Sequence, residues 1–284
     1  MAHDFIHVDE QDGVLTLTMD DARTRNALGP DMSNEINEEL DRLESDPNLR
    51  VLVLTGKDPA FCSGANVRRF NQAIEEREAA AQQAPAEPPL PSAWERMEAR
   101  WMSQGQTDRS RFLPLRLHNI QKPTIAAVNG YAMGIGMGIA ISCDIRVAST
   151  EAGFSEAFIR NGLIPADGSC WQLPRMIGLG NTLLLQYTGE IVPADEAYRM
   201  GMVNKVIPHE ELMDATMEIA QRLAHGPTYS MSLIKWLVHK SLYTDLEESL
   251  RISGAAQSIA RQTEDHKEGV RAFLEKRQPE FKGR

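Results

Sequence analysis

KPTIAAVNGYAMGIGMGIAISCD, Lys122 to Asp144, is the stretch that decides the fold. From Pro123 to Cys143 it runs 21 residues without a charged side chain, long enough on length alone to suggest a membrane span. Its composition argues otherwise. Asn129, Gly130, Gly134, Gly136 and Gly138 interrupt it, and TIAAV (Thr124–Val128) has the short, continuous apolar character of a strand buried in a parallel sheet. The reading is a strand, a glycine loop and a buried helix. Glycines there allow the backbone to approach a ligand, and the unpaired N–H groups that open a helix point at negative charge. The pattern is not the dinucleotide fingerprint: Gly134, Gly136 and Gly138 give GxGxG, Ile139 follows, and no ribose-binding carboxylate is well placed. On these residues alone, close strand–helix packing explains the glycines as well as ligand binding does.

Working outward, VLVLT (Val51–Thr55) reads as a second buried strand and VLTLTM (Val14–Met19) as an alternating one. A helix beginning just after Pro30 presents Met32, Ile36, Leu40 and Leu43 on one face. FCSGAN (Phe61–Asn66) is a second glycine-bearing loop leaving the C-terminal end of a strand, where open α/β sheets place ligands. Two such loops can supply two convergent N–H donors to a developing oxyanion, each worth roughly 3 kcal/mol, although an ordinary tight turn explains FCSGAN equally well. A helix from about Val67 dissolves into AAAQQAPAEPPLP, a surface excursion, beyond which Trp94, Met97 and Trp101 share one helix face. From Ser169 onward the pattern is mostly helical, with one strand expected over Val203–Ile207. The expected organisation is an α/β core over residues 1–208 and a helical C-terminal region over residues 209–284.

The 284 residues allow one large domain or two small ones. With 42% hydrophobic and 25% charged residues, 20 Gly and 15 Pro, the chain sits near the average of soluble globular proteins, which excludes collagenous, disordered and disulfide-scaffold classes. Lys and Arg number 30 against 40 Asp and Glu, a net charge of −10. No global field therefore draws in nucleic acid or an anionic membrane, and an anionic ligand needs a local basic patch. Cys62, Cys143 and Cys170 lack CxxC spacing and the histidines are scattered, so neither a disulfide framework nor a metal site is expected. A reducing, cytoplasmic compartment is the resulting expectation. The opening MAHDFIHVDEQDG has no apolar run and no Arg-rich amphipathic stretch, so no secretory signal or transit peptide is expected and the mature chain is expected to start near Met1.

A set of motifs in fixed order, RNAL (Arg25–Leu28), VLVLTG…AFCSGANV, KPTIAAVNGYAMGIG, ISCDIRVAS, FSEAFIRNGLIPADG, LPRMIG, TGEIVPADEAYRMGMVNKVIP and the terminal FLEKRQPEFK, strongly resembles the crotonase (enoyl-CoA hydratase/isomerase) superfamily over nearly the whole chain. The resemblance implies a spiral of ββα turns, a helical trimerisation region giving a homotrimer or dimer of trimers, and an acyl-CoA thioester as ligand, with a place in fatty-acid metabolism. It implies no cofactor beyond the coenzyme A that is part of the substrate; some members of the superfamily bind RNA, but the acidic composition and the absence of a basic run disfavour a nucleic-acid partner, and no membrane partner is expected. By matching motif, the oxyanion hole would be the backbone N–H groups of Ala65 and Ile135. The CoA would lie along Arg25, Ala27, Ser63, Ala65, Asn66, Val67 and Arg68, with Phe273 and Lys276 reaching its nucleotide end from this or another subunit. Without the resemblance, Phe273 reads as helix packing and Lys276 as a solvated face.

The departures from the family pattern bear on the reaction. Hydratases of the family read GGGCEL in the glycine loop, and that Glu falls on Gly138 here; their second Glu, in a QPE motif, falls on Phe158. Neither Gly nor Phe transfers a proton, so ordinary two-Glu hydration is not expected. Isomerases of the family carry an acid in the loop that reads LIPADGS here. An ungapped count places theirs at Ala166, one residue before Asp167. Asp167 is the expected base, in a partly apolar pocket that would raise its pKa, although Asp-Gly is also a common turn pair. Glu156 lies two residues before Phe158 and would reach the site only through a local shift, so a structural or surface role is expected for it. Asp144 is expected to pair with Arg146 or close a turn, and Cys62 to act as a small buried hydrophobe. Trp94, Met97 and Trp101, with Gly138 and Phe158, would border the acyl pocket or simply pack. The leading expectation is double-bond isomerisation through an oxyanion-stabilised enolate. The alternatives are a hydratase or lyase with substitute acids, and a CoA-binding homologue without catalysis.

Overall fold

The computed structural model describes residues 3–66, 74–76, 78–79, 93–94, 96–97, 100 and 109–284. Two sheets are built in alternation. The larger has six strands in the order β1 (Ile6–Gln11), β2 (Val14–Met19), β3 (Val51–Gly56), β5 (Thr124–Val128), β7 (Ile145–Ser149) and β10 (Lys205–Ile207). The smaller runs β4 (Ala60–Cys62), β6 (Tyr131–Met133), β8 (Gly153–Ser155) and β9 (Val192–Pro193). From β3 to β8 the chain alternates, giving one strand to the large sheet and the next to the small one. The turns β5–β6 and β7–β8 are followed by helices Ile135–Ser142 and Ser169–Ile177. This is the crotonase-type ββα spiral.

The large sheet is parallel except for its β1–β2 edge. Its inner strands are buried on both faces, and their alternation divides the core. Leu15, Leu17, Leu52, Leu54, Ala126, Val128 and Ala148 join the cluster under helix Pro30–Ser45. Their neighbours Val14, Val51, Val53, Ile125, Ala127 and Val147 join a second cluster with Leu212, Ile219, Ala220 and Ala224 of helix Leu212–Ala224. That helix, the first long one of the expected C-terminal region, thus covers one face of the core sheet. Helix Pro30–Ser45 starts with Pro at its first turn and buries Met32, Ile36, Leu40 and Leu43, as their spacing predicts.

The uncharged Pro123–Cys143 stretch forms β5, a second short strand β6 where the sequence predicts a loop, and the eight-residue helix Ile135–Ser142. No helix among the described residues is long and apolar enough to cross a membrane. β1 and β4 were also not expected from the sequence: β1 is half exposed and acidic, and β4 has three residues. Asp144 does not pair with Arg146. Its carboxylate accepts from the Thr124 amide and hydroxyl and lies 3.0 Å from Lys235 Nζ, tying helix Thr228–Ser241 to the core. Arg146 donates instead to the carbonyls of Met202 and Cys143.

Candidate active site

Strands β4, β6 and β8 are parallel neighbours, with Cys62 opposite Ala132 and Met133 opposite Ser155. Their C-terminal ends therefore release three loops side by side: Ser63–Asn66, the Gly134 turn into helix Ile135–Ser142, and the segment opening with Glu156. The first two loops touch through glycines. A Cβ on Gly136 would stand 2.5 Å from the Cys62 carbonyl oxygen, and one on Gly64 (φ +105°) 3.0 Å from that of Met133, so only glycine permits this approach.

Among the described residues, the N–H of Ala65 has no acceptor. Leu28 N–H donates to the Gly64 carbonyl beside it, at 2.8 Å. Ile135 is the first residue of its helix, so its N–H has no intrahelical acceptor, while Gly134 (φ +50°) donates to Ser155 O at 2.8 Å. Ala65 and Ile135 thus each present a free donor from adjacent loops, the requirement for holding an oxyanion. The Phe158 ring packs against Gly134, 3.6 Å from where a Cβ there would sit, next to the Ile135 donor.

The RNAL segment is fastened to the first loop. Ser63 donates from its amide to Arg25 O (3.1 Å) and from its hydroxyl to Thr24 O (2.6 Å), and Ala27 N–H donates to Thr24 Oγ1 at 3.1 Å. Arg25 and Asn26 both adopt positive φ, at 56° and 60°. The buried Asn26 holds the turn by accepting from Asp21 N–H and donating to the carbonyls of Lys57 and Ala60, at 2.7–2.9 Å. Sequence reasoning passed over Asn26, whose tolerance of the left-handed region was the available signal. Arg25 is exposed at this rim, and Asn66 at the end of the first loop is half-buried. Val67, Arg68 and Trp101 fall outside the described residues. Phe273, 83% exposed, and Lys276, at the end of the last helix, face solvent in the single chain. Trp94 and Met97 are 76% and 52% exposed, so the helix face they share is not core. Cys62 is buried, and burial pushes its thiol up to about 11, which keeps it unreactive.

The carboxylates are the main finding at the site. Asp167 is 1% exposed, and Ala166, where the ungapped count put the family's acid, points outward. The Asp167 carboxyl lies against Gly138: a Cβ there would come 2.7 Å from its Cγ and closer still to Oδ2. Gly138 stands three residues after Ile135 on the same helix, about 4.5 Å along the axis and on the same face. A carboxyl group thus stands beside position 138, brought there by the loop that precedes helix Ser169–Ile177. Glu156 is 0% exposed, which overturns the expected surface role. Ser169 joins the two: its hydroxyl donates to Glu156 Oε2 at 2.9 Å, and its amide to Asp167 Oδ1 at 3.1 Å. Glu156 Oε1 and Asp167 Oδ2 are buried with no partner. Burial, then the Asp167 charge, push Glu156 up to about 8. Burial also raises Asp167, against the hydrogen bonds from Ser169. Asp167 borders a cleft of about 250 Å³ walled by Phe112, His118, Ala166, Trp171 and Tyr243. A larger apolar cleft, about 380 Å³, lies at the far end of helix Ile135–Ser142 under helix Thr228–Ser241 and touches neither carboxylate. No metal-ligand cluster occurs among the described residues.

Fold, paired donors and buried acids together define a crotonase-fold protein, and the chain belongs to the enoyl-CoA hydratase/isomerase family, whose sequence profile matches residues 9–98 and 92–284. It is 33% identical to a crotonyl-CoA hydratase of Syntrophomonas wolfei, over 99% of both chains. It is equally 33% identical to the 1,2-epoxyphenylacetyl-CoA isomerase of Escherichia coli, again over 99% of both. Among solved structures, a putative enoyl-CoA hydratase/isomerase from Mycobacterium abscessus superposes with a TM-score of 0.84 at 28% identity, covering 98% of this chain and all of that one.

Proposed function

We propose that this protein forms an enolate from an acyl-CoA thioester in the oxyanion hole of Ala65 and Ile135, and that Asp167 moves a proton between carbons to shift a double bond. The observation that carries this reading is the Asp167 carboxyl lying against Gly138, one helical turn from the Ile135 donor. Asp167 Oδ2 takes a proton from one carbon while the C–H electron pair enters the thioester as an enolate. Return of that proton to another carbon of the conjugated system regenerates the carboxylate. The CoA runs along Arg25, Ala27, Ser63, Asn66, Val67 and Arg68, with Phe273 and Lys276 at its nucleotide end. These cations answer the mismatch between a chain of net charge −10 and a polyanionic ligand. Relatives named as hydratase and isomerase stand at the same identity, so overall similarity does not choose between the reactions.

Glu156 supports a second reading, in which the Glu156–Asp167 pair substitutes for the two hydratase acids in a hydratase or lyase. The deciding experiment follows solvent deuterium into the α- and γ-positions of acyl-CoA substrates alongside hydration of the double bond. Exchange without hydration supports isomerisation, and hydration supports the substitute pair. Tight CoA binding with neither leaves a catalytically silent homologue. Assembly as a homotrimer or dimer of trimers is part of the proposal: helix Thr228–Ser241 has no fully buried residue in the single chain, and Trp236 is exposed on it.

A further inference from the structure

Ser169 is the one residue that holds both buried carboxylates, and it holds them through groups of different capability. Its backbone N–H can only donate, so Asp167 Oδ1, 3.1 Å away, must offer a lone pair to it. Its hydroxyl, 2.9 Å from Glu156 Oε2, can donate or accept. One hydroxyl hydrogen cannot serve two carboxylates, and two charges cannot stay buried side by side with an unpartnered oxygen on each. Ser169 also opens the nine-residue helix Ser169–Ile177, whose N-terminal dipole favours charge on Asp167.

We propose that Ser169 is a positioning residue that holds Glu156 and Asp167 as a pair carrying a single proton, seated on Glu156, so that Asp167 alone is the charged base. In this arrangement the Ser169 hydroxyl, which donates to a charged Glu156, instead accepts from the protonated Glu156 across the same 2.9 Å contact and turns its own hydrogen towards Asp167, whose charged form it favours, while the amide completes the hold on Asp167. Among the described residues, the titratable groups facing the pair are Cys170, whose thiol is itself pushed up by burial and by both carboxylates, and, across the cleft that Asp167 borders, Arg109, His118 and Tyr243. Among the described residues no Lys, Arg or His is hydrogen-bonded to either acid, and the donors on the pair come from Ser169. Helix Ile135–Ser142 brings the Gly138 backbone against Asp167, and Gln186 Nε2 lies 3.5 Å from the Ser169 hydroxyl. The role given to Asp167 rests on the proposed acid–base function, but the protonation of the pair does not require turnover.

Infrared titration of the intact, substrate-free protein tests it through the carbonyl stretch of a protonated carboxylic acid. Wild type should show one such buried acid at neutral pH, absent in Glu156→Gln. A second should appear on acidification and be absent in Asp167→Asn. In Ser169→Ala that second protonation should move up by about one pH unit, a tenfold change in proton affinity, because Asp167 loses a donor to its charged form. Ser169→Thr should restore it. The proposal is overturned by a wild type with no buried acid at neutral pH, by a band that survives Glu156→Gln, or by a midpoint that Ser169→Ala does not move. Deuterium exchange with acyl-CoA substrates is measured on the same samples. Its absence with the infrared pattern intact removes the isomerase reading and leaves the pair standing.

Discussion

The carboxyl group of Asp167 occupies the volume that a side chain on Gly138 would need, with Cγ 2.7 Å and Cβ 2.8 Å from the position of a Cβ there. Gly138 belongs to helix Ile135–Ser142 and Asp167 to the loop before helix Ser169–Ile177, so the two meet across separate segments of chain.

Asp167→Asn should abolish α/γ proton exchange, by roughly 10²–10⁴ in rate, while leaving CoA affinity nearly intact. Asn keeps the size and still accepts from the Ser169 amide, so the fold should survive. Unchanged turnover of a verified substrate would remove Asp167 from the mechanism. Loss of both turnover and CoA binding would indicate misfolding.

Gly138→Glu should not create crotonyl-CoA hydratase activity. The new side chain collides with Asp167, and the second hydratase position remains the apolar Phe158. Overpacking should also cost about 1–3 kcal/mol of stability, read as a lower Tm. Adding Phe158→Glu gives the informative double variant, and appreciable hydration by the unmodified protein would contradict this reading of the site.

The pH dependence of stability carries a signature of Glu156. Its folded pKa is raised to about 8 from the model-compound value of 4.5. Between those values the folded protein keeps a proton that the unfolded chain has lost, so its contribution to stability falls as pH rises through the window. Glu156→Gln removes the effect, and its Tm should decline less than that of wild type between about pH 5 and 8. His118 acts in the opposite sense. Burial holds it down at about 4, so it destabilises the fold as pH falls below 6.5, but both proteins share it and the comparison cancels it.

Light scattering at micromolar concentration should give a trimer or hexamer. Trp236→Glu places a charge on helix Thr228–Ser241, where Ile234, Trp236 and Val238 are all exposed in the single chain. It should shift the population toward monomer without altering the secondary structure. A wild-type protein at monomer mass would refute the assembly.

The large sheet was legible in the sequence because β3 and β5 are short apolar runs, β2 alternates, and helix Pro30–Ser45 has a clean apolar stripe. Both glycine loops were legible for a related reason, since close approach to Cys62 and Met133 leaves room for no side chain. The small sheet was not, because strands of three residues such as Ala60–Cys62 and Tyr131–Met133 are too short to carry a period. The pairing of Glu156 with Asp167 was also hidden. It depends on the left-handed glycines Gly162 (φ +66°) and Gly168 (φ +97°), which fold the intervening chain back so that Ser169 reaches both acids. Linear spacing records neither the turn nor the bridge.

β4, β6 and β8 end at one edge, but the loops they release are held by different bonds: Asn26 and Thr24 fix the first, Ser155 the second, and Ser169 the third. The free N–H groups of Ala65 and Ile135 therefore keep their places whatever side chain the third loop brings. If they hold a thioester as proposed, reaction type in this scaffold is addressed by volume rather than by position along the chain, and a carboxylate can be relocated among the loops without rebuilding the pair of donors.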